Sequence, residues 1–329
     1  MKNKLAIAFL LISSAMYSQV GNSKPEDVRE IKKRTLIVVA EEANDKLLTK
    51  LEGEQLAQYK KDIEDYNKEI KEAVTNAWKF NAKIEYKTRA EVDKLTKSKS
   101  KEYAYIEYNK FTVNCANASA YKATYQFKDG VKGITMVGGD YDCTQLNARL
   151  CDENPLGPPV FGARLANPFP NTADLVYALK AIQLQFGYKL EGKKDIPIFN
   201  MFKDNAKVLT GLTLLVNEKN TDLNLEEIKK AYPYPVELVM KEKIDEAILS
   251  SDPKTAFVIM IPAGHDSFSF MILSSKDCSV LGYTNNEQST GVKVGGFGGT
   301  LGAALDAKKE MTKSKVKKDH FKLFAKQVK

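Results

Sequence analysis

One pattern of apolar residues occurs twice in the chain, and this repetition constrains the fold more than any other feature. The residues from Phe80 to Tyr108 align with those from Tyr232 to Met260 without a gap, at a constant offset of 152 positions. Only four of these positions are identical, but apolar residues fall at matching places throughout. A pattern shared at one offset is typical of two copies of a structural unit whose sequences have diverged.

Each copy extends into a longer pattern of alternating strands and helices. The run 35–40 is short, apolar and rich in β-branched residues, which predicts a strand buried on both faces of a parallel sheet, and 212–216 matches it. Between 47 and 78, apolar residues recur at steps of three and four, which predicts a long helix interrupted at Gly53. We predict an α/β fold with α+β character. It is a tandem repeat of two α/β sandwiches with mixed sheets, in the order βαβαβββα in each half.

The ends of the chain and of the repeat define the predicted domain boundaries. Lys2 and Lys4 precede an apolar run at 5–12 and then small residues, which is the arrangement of a secretory signal peptide. That run is too short to span a bilayer, so we expect an exported chain without a transmembrane segment. The predicted segments are a signal peptide (1–19), a flexible lead-in (20–33), a first module (34–191), a linker (192–205) and a second module with lysine-rich C-terminal helices (206–329).

Two hairpins and one long loop are expected within the modules. Asp129-Gly130 supplies turn residues that accept a positive φ, which predicts a hairpin over 124–136. A second hairpin is predicted over 268–283. The segment 140–171 holds five prolines and two cysteines, which predicts an irregular loop. Long tethered loops often carry recognition, so the predicted contact residues of this loop are its large side chains Phe161, Arg164 and Phe169.

The four cysteines favour disulfide bonds, because an even number in an exported chain is typical of an oxidising compartment. No pair has the Cys-x-x-Cys spacing, and the chain has only two histidines, so these residues do not indicate a zinc site. We predict one bridge among Cys115, Cys143 and Cys151. Cys278 is expected to remain free or to pair with the remaining thiol.

The sequence gives little support for an enzyme. His265-Asp266-Ser267 combines a base, an acid and a nucleophile, but adjacent residues of an extended chain point to opposite sides. The glycine-rich run at 295–302 matches neither common phosphate-binding motif. The carboxylates at 140, 142, 152 and 153 keep a calcium site as a minor alternative, since a calcium loop needs several closely spaced oxygens and a sharp glycine turn, and only Gly138-Gly139 and Asn154 add to that pattern. We therefore assign no catalytic residue, metal ligand or cofactor, and keep a hydrolase that uses 265–267 as an alternative.

Positive charge is concentrated at the C-terminus, where nine lysines lie in the last 22 residues of a chain with a formal net charge of +8. No aromatic residues are interleaved in a recognition motif, so nucleic acid is not a predicted partner. A lysine run is usually the solvated face of a helix. The alternative is a surface that binds an anionic envelope surface or an acidic envelope protein.

The order of elements in each half resembles that of the amino-terminal α/β module of TolB and of related modules in curli-secretion lipoproteins, over roughly residues 35–187 and 207–310. Such modules also run strand–helix–strand–helix and then form a meander with a charged hairpin turn. The resemblance implies a non-catalytic periplasmic domain that contacts other envelope proteins.

The leading hypothesis is therefore an exported, non-catalytic binding or scaffolding protein of the bacterial cell envelope, located in the periplasm or outside the cell. One alternative is the hydrolase described above. The other is a carrier that binds a small ligand between the two modules.

Overall fold

The structure is a computed structural model, which describes residues 19–20, 24–114, 122–126, 132–137, 140–167, 169–193, 205–264, 267–285 and 315–328. Its helices are α1 (Pro25–Lys33), α2 (Asp45–Leu48), α3 (Gly53–Ala77), α4 (Arg89–Lys97), α5 (Thr172–Leu190), α6 (Leu225–Ala231), α7 (Lys241–Leu249) and α8 (Lys318–Gln327). Its strands are β1 (Gln19–Val20), β2 (Thr35–Ala40), β3 (Ile84–Thr88), β4 (Tyr103–Asn114), β5 (Lys122–Gln126), β6 (Lys132–Val137), β7 (Asp140–Leu150), β8 (Phe161–Leu165), β9 (Thr213–Asn217), β10 (Val236–Val239), β11 (Thr255–Gly264), β12 (Ser267–Ser274) and β13 (Val280–Asn285).

The first sheet is mixed, and its five longer strands lie in the order β3-β2-β4-β7-β8. Strand β2 runs parallel to β3 and β4, whereas β7 and β8 extend the sheet in antiparallel fashion. The two-residue strand β1 pairs with β8 at the edge. The predicted strand at 35–40 is therefore central, and its four middle residues are buried, as the sequence predicted.

The second sheet repeats this arrangement, with the order β10-β9-β11-β12-β13. Strand β9 is parallel to β10 and β11, and β12 and β13 complete the sheet in antiparallel fashion. We count the five main strands of each sheet in chain order, leaving out β1 and the pair β5 and β6. In both halves the second of these strands lies at one edge, followed by the first, third, fourth and fifth. The predicted α/β fold of two modules with mixed sheets is confirmed.

The two units also agree in detail at the offset of 152 residues. Helices α4 and α7 begin and end at matching positions. After each helix one residue takes a left-handed conformation, with a φ of 52° at Lys99 and 53° at Ser251. The carbonyl of Lys83 accepts a hydrogen bond from β2, and the carbonyl of Pro235 accepts the equivalent bond from β9. The repeated sequence pattern thus corresponds to a repeated backbone geometry.

The hairpin predicted at 124–136 is present, but its strands do not belong to the main sheet of the first unit. Strands β5 and β6 do pair in antiparallel fashion, but they form a separate two-stranded sheet inserted between β4 and β7. The fourth and fifth strands of the first unit are β7 and β8. The N–H of Cys151 after β7 donates to the carbonyl of Tyr103, as the N–H of Ser275 after β12 donates to that of Thr255.

The prediction of an irregular loop at 140–171 is wrong, because β7 and β8 occupy 140–150 and 161–165. Leu146, Ala148 and Leu150 are core residues, and polar residues alternate with them, which is the pattern of a strand. The four prolines of this segment that the structure describes all lie outside the two strands, at 155, 158, 159 and 170. The alternation was present in the sequence, but the high proline content obscured it.

The predicted flexible lead-in is also wrong over the residues that the structure describes, because 25–33 form helix α1. Pro25 occupies the first turn of the helix, and Val28 and Ile31 are fully buried, since they are three positions apart and share one face. Arg34, which follows the helix, donates from Nη1 to Oδ1 of Asp152 at 2.5 Å. Most of the predicted signal peptide and the linker residues 194–204 lie outside the described residues.

One apolar cluster joins the two units through α5. This helix is apolar nearly all round, and it packs against α3 and β8 of its own unit and against α7 of the second. The cluster includes the residues of one face of the first sheet together with Phe257, Met271 and Leu273 of the second sheet. The opposite face of the second sheet packs on α6 and α8 in a separate cluster. Among the described residues, no helix is both long enough and apolar enough to cross a bilayer.

Candidate functional site

Polar side chains are concentrated on one face of the first sheet, opposite the face that packs on α3 and α5. Residues paired across neighbouring strands point to the same side of a sheet, so the strand register identifies the members of this face. We define the polar face by Arg89 of α4 and by Tyr105, Glu107, Gln145, Asn147, Arg149 and Arg164 of the sheet. Ile37 and Val39 lie on the same side and pack on Val92 of α4.

Glu107 lies at the centre of the polar face and is bound by two arginines. Its Oε2 accepts a hydrogen bond from Nη2 of Arg89 at 2.6 Å, and its Oε1 accepts one from Nε of Arg149 at 2.7 Å. Arg149 also donates from Nη1 to the carbonyl of Gly157 at 2.7 Å. Glu107 and Arg149 are buried, whereas 38% of the Arg89 side chain is exposed. One carboxylate thus faces two guanidinium groups, one of which reaches the surface.

Gln145 and Asn147 form a buried amide pair on the same face. Nε2 of Gln145 donates to Oδ1 of Asn147 at 2.7 Å, and the two residues are only 6% and 0% exposed. Within the described part of the chain, Oε1 of Gln145 and Nδ2 of Asn147 have no hydrogen-bond partner. If the oxygen and nitrogen assignments of both side-chain amides were exchanged, one donor and one acceptor would still be unpaired. Each such buried group costs about 1–3 kcal/mol, so the pair is not explained by stability.

Glu41 and Arg89 lie at the carboxyl ends of two parallel strands. Glu41 follows β2, and its N–H donates to Oδ1 of Asn67 at 2.8 Å, while Arg89 follows β3. Burial raises the pKa of the Glu41 carboxyl, and the positive charge of Arg89 opposes this effect. In open α/β sheets, ligands bind outside the carboxyl ends of strands whose connections diverge. Strands β2 and β4 are such a pair, because β2 leads to β3 on one side and β4 leads to β7 on the other.

The equivalent face of the second sheet is mainly apolar, and Ser269, which corresponds to Gln145, has its hydroxyl hydrogen-bonded to that of Tyr283. Matched by the sequence offset and the strand register, the corresponding residues are Tyr105 and Phe257, Glu107 and Ile259, Asn147 and Met271, and Arg149 and Leu273. The four residues of the second sheet are buried in the cluster that contains α5. The same position of the fold therefore holds an apolar contact in one unit and charged and amide groups in the other.

The three contact residues predicted from the sequence occupy different environments. Phe161 is 4% exposed and belongs to the hydrophobic core, so its assignment as a surface contact is wrong. Arg164 is half-buried and lies on the polar face opposite Gln145. Phe169 is half-buried after β8, where its N–H donates to Oδ1 of Asn167 at 3.0 Å. Only Arg164 joins the site, because the side chains of β8 alternate between its two faces and Phe169 lies beyond the end of the strand.

The cysteine predictions are tested only in part. Cys151 is a free, buried thiol that packs on Ile37 and Tyr105, so the described structure does not include it in the predicted bridge. Cys278 is also free and buried, and burial raises the pKa of both thiols to about 12. Cys115 and the side chain of Cys143 lie outside the described residues.

Other residues singled out in the sequence lie away from the polar face or outside the described residues. His265, Asp266 and the glycine-rich run at 295–302 belong to the second group, and Ser267 begins β12. His320 lies among the C-terminal lysines in the sequence, but it is buried, and its Nδ1 accepts a hydrogen bond from the N–H of Lys317. The described lysines of α8 are exposed, in agreement with a solvated helix face.

Sequence reasoning missed the residues that define the site, namely Glu107, Gln145, Asn147 and Arg149. Two signals were available. The segment 144–150 alternates polar and apolar residues, and Glu107 stands where the second copy of the repeat has Ile259. When one copy of a repeat has a charged residue and the other copy has an apolar residue at the same position, the two units use that position differently.

Among the described residues, no three His, Cys, Asp or Glu side chains come together as a metal site requires. Comparisons with known protein families, with curated proteins and with solved structures gave no match. The functional argument therefore depends on the chemistry of the polar face itself.

Proposed function

We propose that this chain is an exported, non-catalytic binding protein of the bacterial cell envelope, in which the first unit recognises the partner and the second unit supports it. One observation carries the proposal. The polar face of the first sheet buries an ion-pair cluster where the second sheet has Ile259 and Leu273, and an incompletely bonded amide pair where it has Ser269 and Met271.

The energetic comparison supports a role in binding. Replacing a buried ion pair by well-packed apolar residues is often neutral or stabilising, and the second unit shows that this fold accepts apolar residues at these positions. The charged set of the first unit is therefore not required by the fold. Buried polar groups with unmet hydrogen bonds need a separate explanation, and a ligand that completes those bonds supplies one.

The compartment and the kind of partner are supported by the sequence. Residues 1–19 have the pattern of a secretory signal peptide, and each half resembles envelope modules that contact other proteins. The partly exposed guanidinium of Arg89 favours a partner with negative charge, because complementary charge steers association and fixes its orientation.

The proposal is tested by giving the first unit the residues of the second. The variant carries Glu107→Ile, Asn147→Met and Arg149→Leu, and it is compared with the wild type as bait in an envelope extract analysed by quantitative mass spectrometry. A matched control carries Glu237→Ile and Lys243→Leu, which remove an exposed ion pair of the second unit.

We expect the wild type and the control to retain a partner that the variant of the first unit loses. Circular dichroism establishes that all three proteins are folded. Retention of the same proteins by all three would contradict the proposal.

A further inference from the structure

In the second unit, the residue that corresponds to Arg89 is a lysine that contacts two carboxylates. Lys241 is the first residue of α7 and corresponds to Arg89, the first residue of α4. Its Nζ lies 3.4 Å from Oδ1 of Asp174 and 2.7 Å from Oδ1 of Asp245. Asp174 is buried in the first turn of α5, the helix that covers this face of the second unit. This position of the fold therefore receives a carboxylate from a segment packed on the sheet.

The first unit retains a cation at this place, and part of its guanidinium remains exposed. Arg89 and Arg149 share the carboxylate of Glu107, and the carboxylates of Asp93 and Glu41 also act on Arg89. Arg149 is buried, whereas the partly exposed Arg89 can contact a group that approaches from outside. Guanidinium groups bind carboxylates with favourable geometry, since two N–H donors can face two oxygens.

The amide pair adds a second requirement on the ligand. Within the part of the chain that the structure describes, Gln145 and Asn147 together have one unpaired acceptor and one unpaired donor, and both residues are more than nine-tenths buried. A peptide group satisfies such a pair, because it carries one N–H donor and one C=O acceptor. A bare inorganic anion offers acceptors alone and leaves Oε1 of Gln145 without a partner.

We infer that the polar face of the first unit binds an acidic peptide, with a ligand carboxylate on Arg89 and a ligand peptide group on the Gln145–Asn147 pair. This inference rests on the binding function proposed above and names the chemical class of the partner. Asp174 of α5 is the internal counterpart of the ligand carboxylate, since it occupies the same place against the second unit.

The test compares three probes by calorimetric titration of the full chain. They are acetyl-Ala-Glu-Ala amide, its neutral counterpart acetyl-Ala-Gln-Ala amide, and sodium acetate. We expect the glutamate peptide to bind about tenfold more tightly than the glutamine peptide, because a charge-assisted hydrogen bond is stronger than a neutral one. Acetate, which lacks the peptide group, should bind more weakly than the glutamate peptide.

Two variants separate the parts of the site. Arg89→Gln should remove the preference for the glutamate peptide, while the control Arg29→Gln, at an exposed arginine of α1, should keep it. The variant with Gln145→Leu and Asn147→Leu should weaken the glutamate peptide about tenfold and leave acetate unchanged. Each variant is first shown to be folded by its circular dichroism spectrum.

Equal affinity of the wild type for both peptides would overturn the inference, and so would acetate that binds as tightly as the glutamate peptide. If neither peptide binds while the envelope partner is still lost on exchange of residues 107, 147 and 149, the ligand class is wrong and the proposed binding function stands.

Discussion

The two units share a strand order and matching helix ends, but they use one face of the sheet in opposite ways. In the second unit this face is covered by α5, and its residues belong to the apolar cluster that joins the halves. In the first unit the same positions hold Glu107, Asn147 and Arg149. After a duplication, one copy can keep a surface for internal packing while the other copy supports a site. The contrast indicates that the functional site of this chain lies at the positions where the two units differ in residue type.

Removal of the Glu107 carboxylate is expected to have the largest effect on stability. Glu107→Ala leaves the buried Arg149 without its counter-charge, which costs about 3–5 kcal/mol. Replacing both partners with the residues of the second unit, Glu107→Ile and Arg149→Leu, should change the free energy of unfolding by less than about 1 kcal/mol or increase it. Urea unfolding followed by the fluorescence of Trp78, the single tryptophan, reports on the first unit. A double variant as unstable as Glu107→Ala would show that the two faces are not interchangeable.

Acid should destabilise the second unit through His320, a residue type that the first unit lacks. Burial lowers the pKa of His320 to about 4, and the charge of Lys317 adds to this effect. Because the folded pKa lies below the unfolded value of about 6.5, the stabilisation is complete above pH 6.5 and is lost as the pH falls towards 4, by about 3 kcal/mol.

The variant His320→Gln isolates this contribution. We expect its unfolding free energy, measured by urea titration at pH 7, 6 and 5, to depend less on pH than that of the wild type. Equal slopes for the two proteins would mean that folding does not lower the pKa of His320.

Lys180 tests whether the units are coupled through α5. Its Nζ donates to the carbonyls of Ile248 and Lys276 and to Oγ of Ser251, all in the second unit. Lys180→Met should destabilise the chain by about 1–2 kcal/mol, since it removes charge-assisted bonds at a partly buried position. The exposed Lys33→Met serves as the control. If thermal unfolding is the same for both variants, these hydrogen bonds do not hold the units together.

The fold was predictable because the sequence repeats at one offset and because apolar runs mark the central strands. The site was not predicted, since its residues belong to strands that the prolines at 155–159 and 168–170 disguised as a loop. Gln145, Asn147 and Arg149 meet Glu107 only through the pairing of β4 with β7, which brings together residues about 40 positions apart. Arg164 was selected as a large side chain, and the strand register places it on the polar face beside Gln145. Local patterns indicate elements, whereas register decides which side chains share a face.

The smallest expected effect tests the equivalence of the two units at their helix ends. Lys99 and Ser251 both have a positive φ, and this conformation costs a residue with a side chain roughly 1–2 kcal/mol. Glycine avoids this cost, but on folding it loses about 0.5–1 kcal/mol more chain entropy than a residue with a side chain. Lys99→Gly and Ser251→Gly should therefore each stabilise the chain by about 0.5–1 kcal/mol. The two positions lie in different units, so the effects should add in the double variant, measured by urea unfolding. Stabilisation at one position only would show that the shared offset preserves the strand order without preserving the geometry of the helix ends.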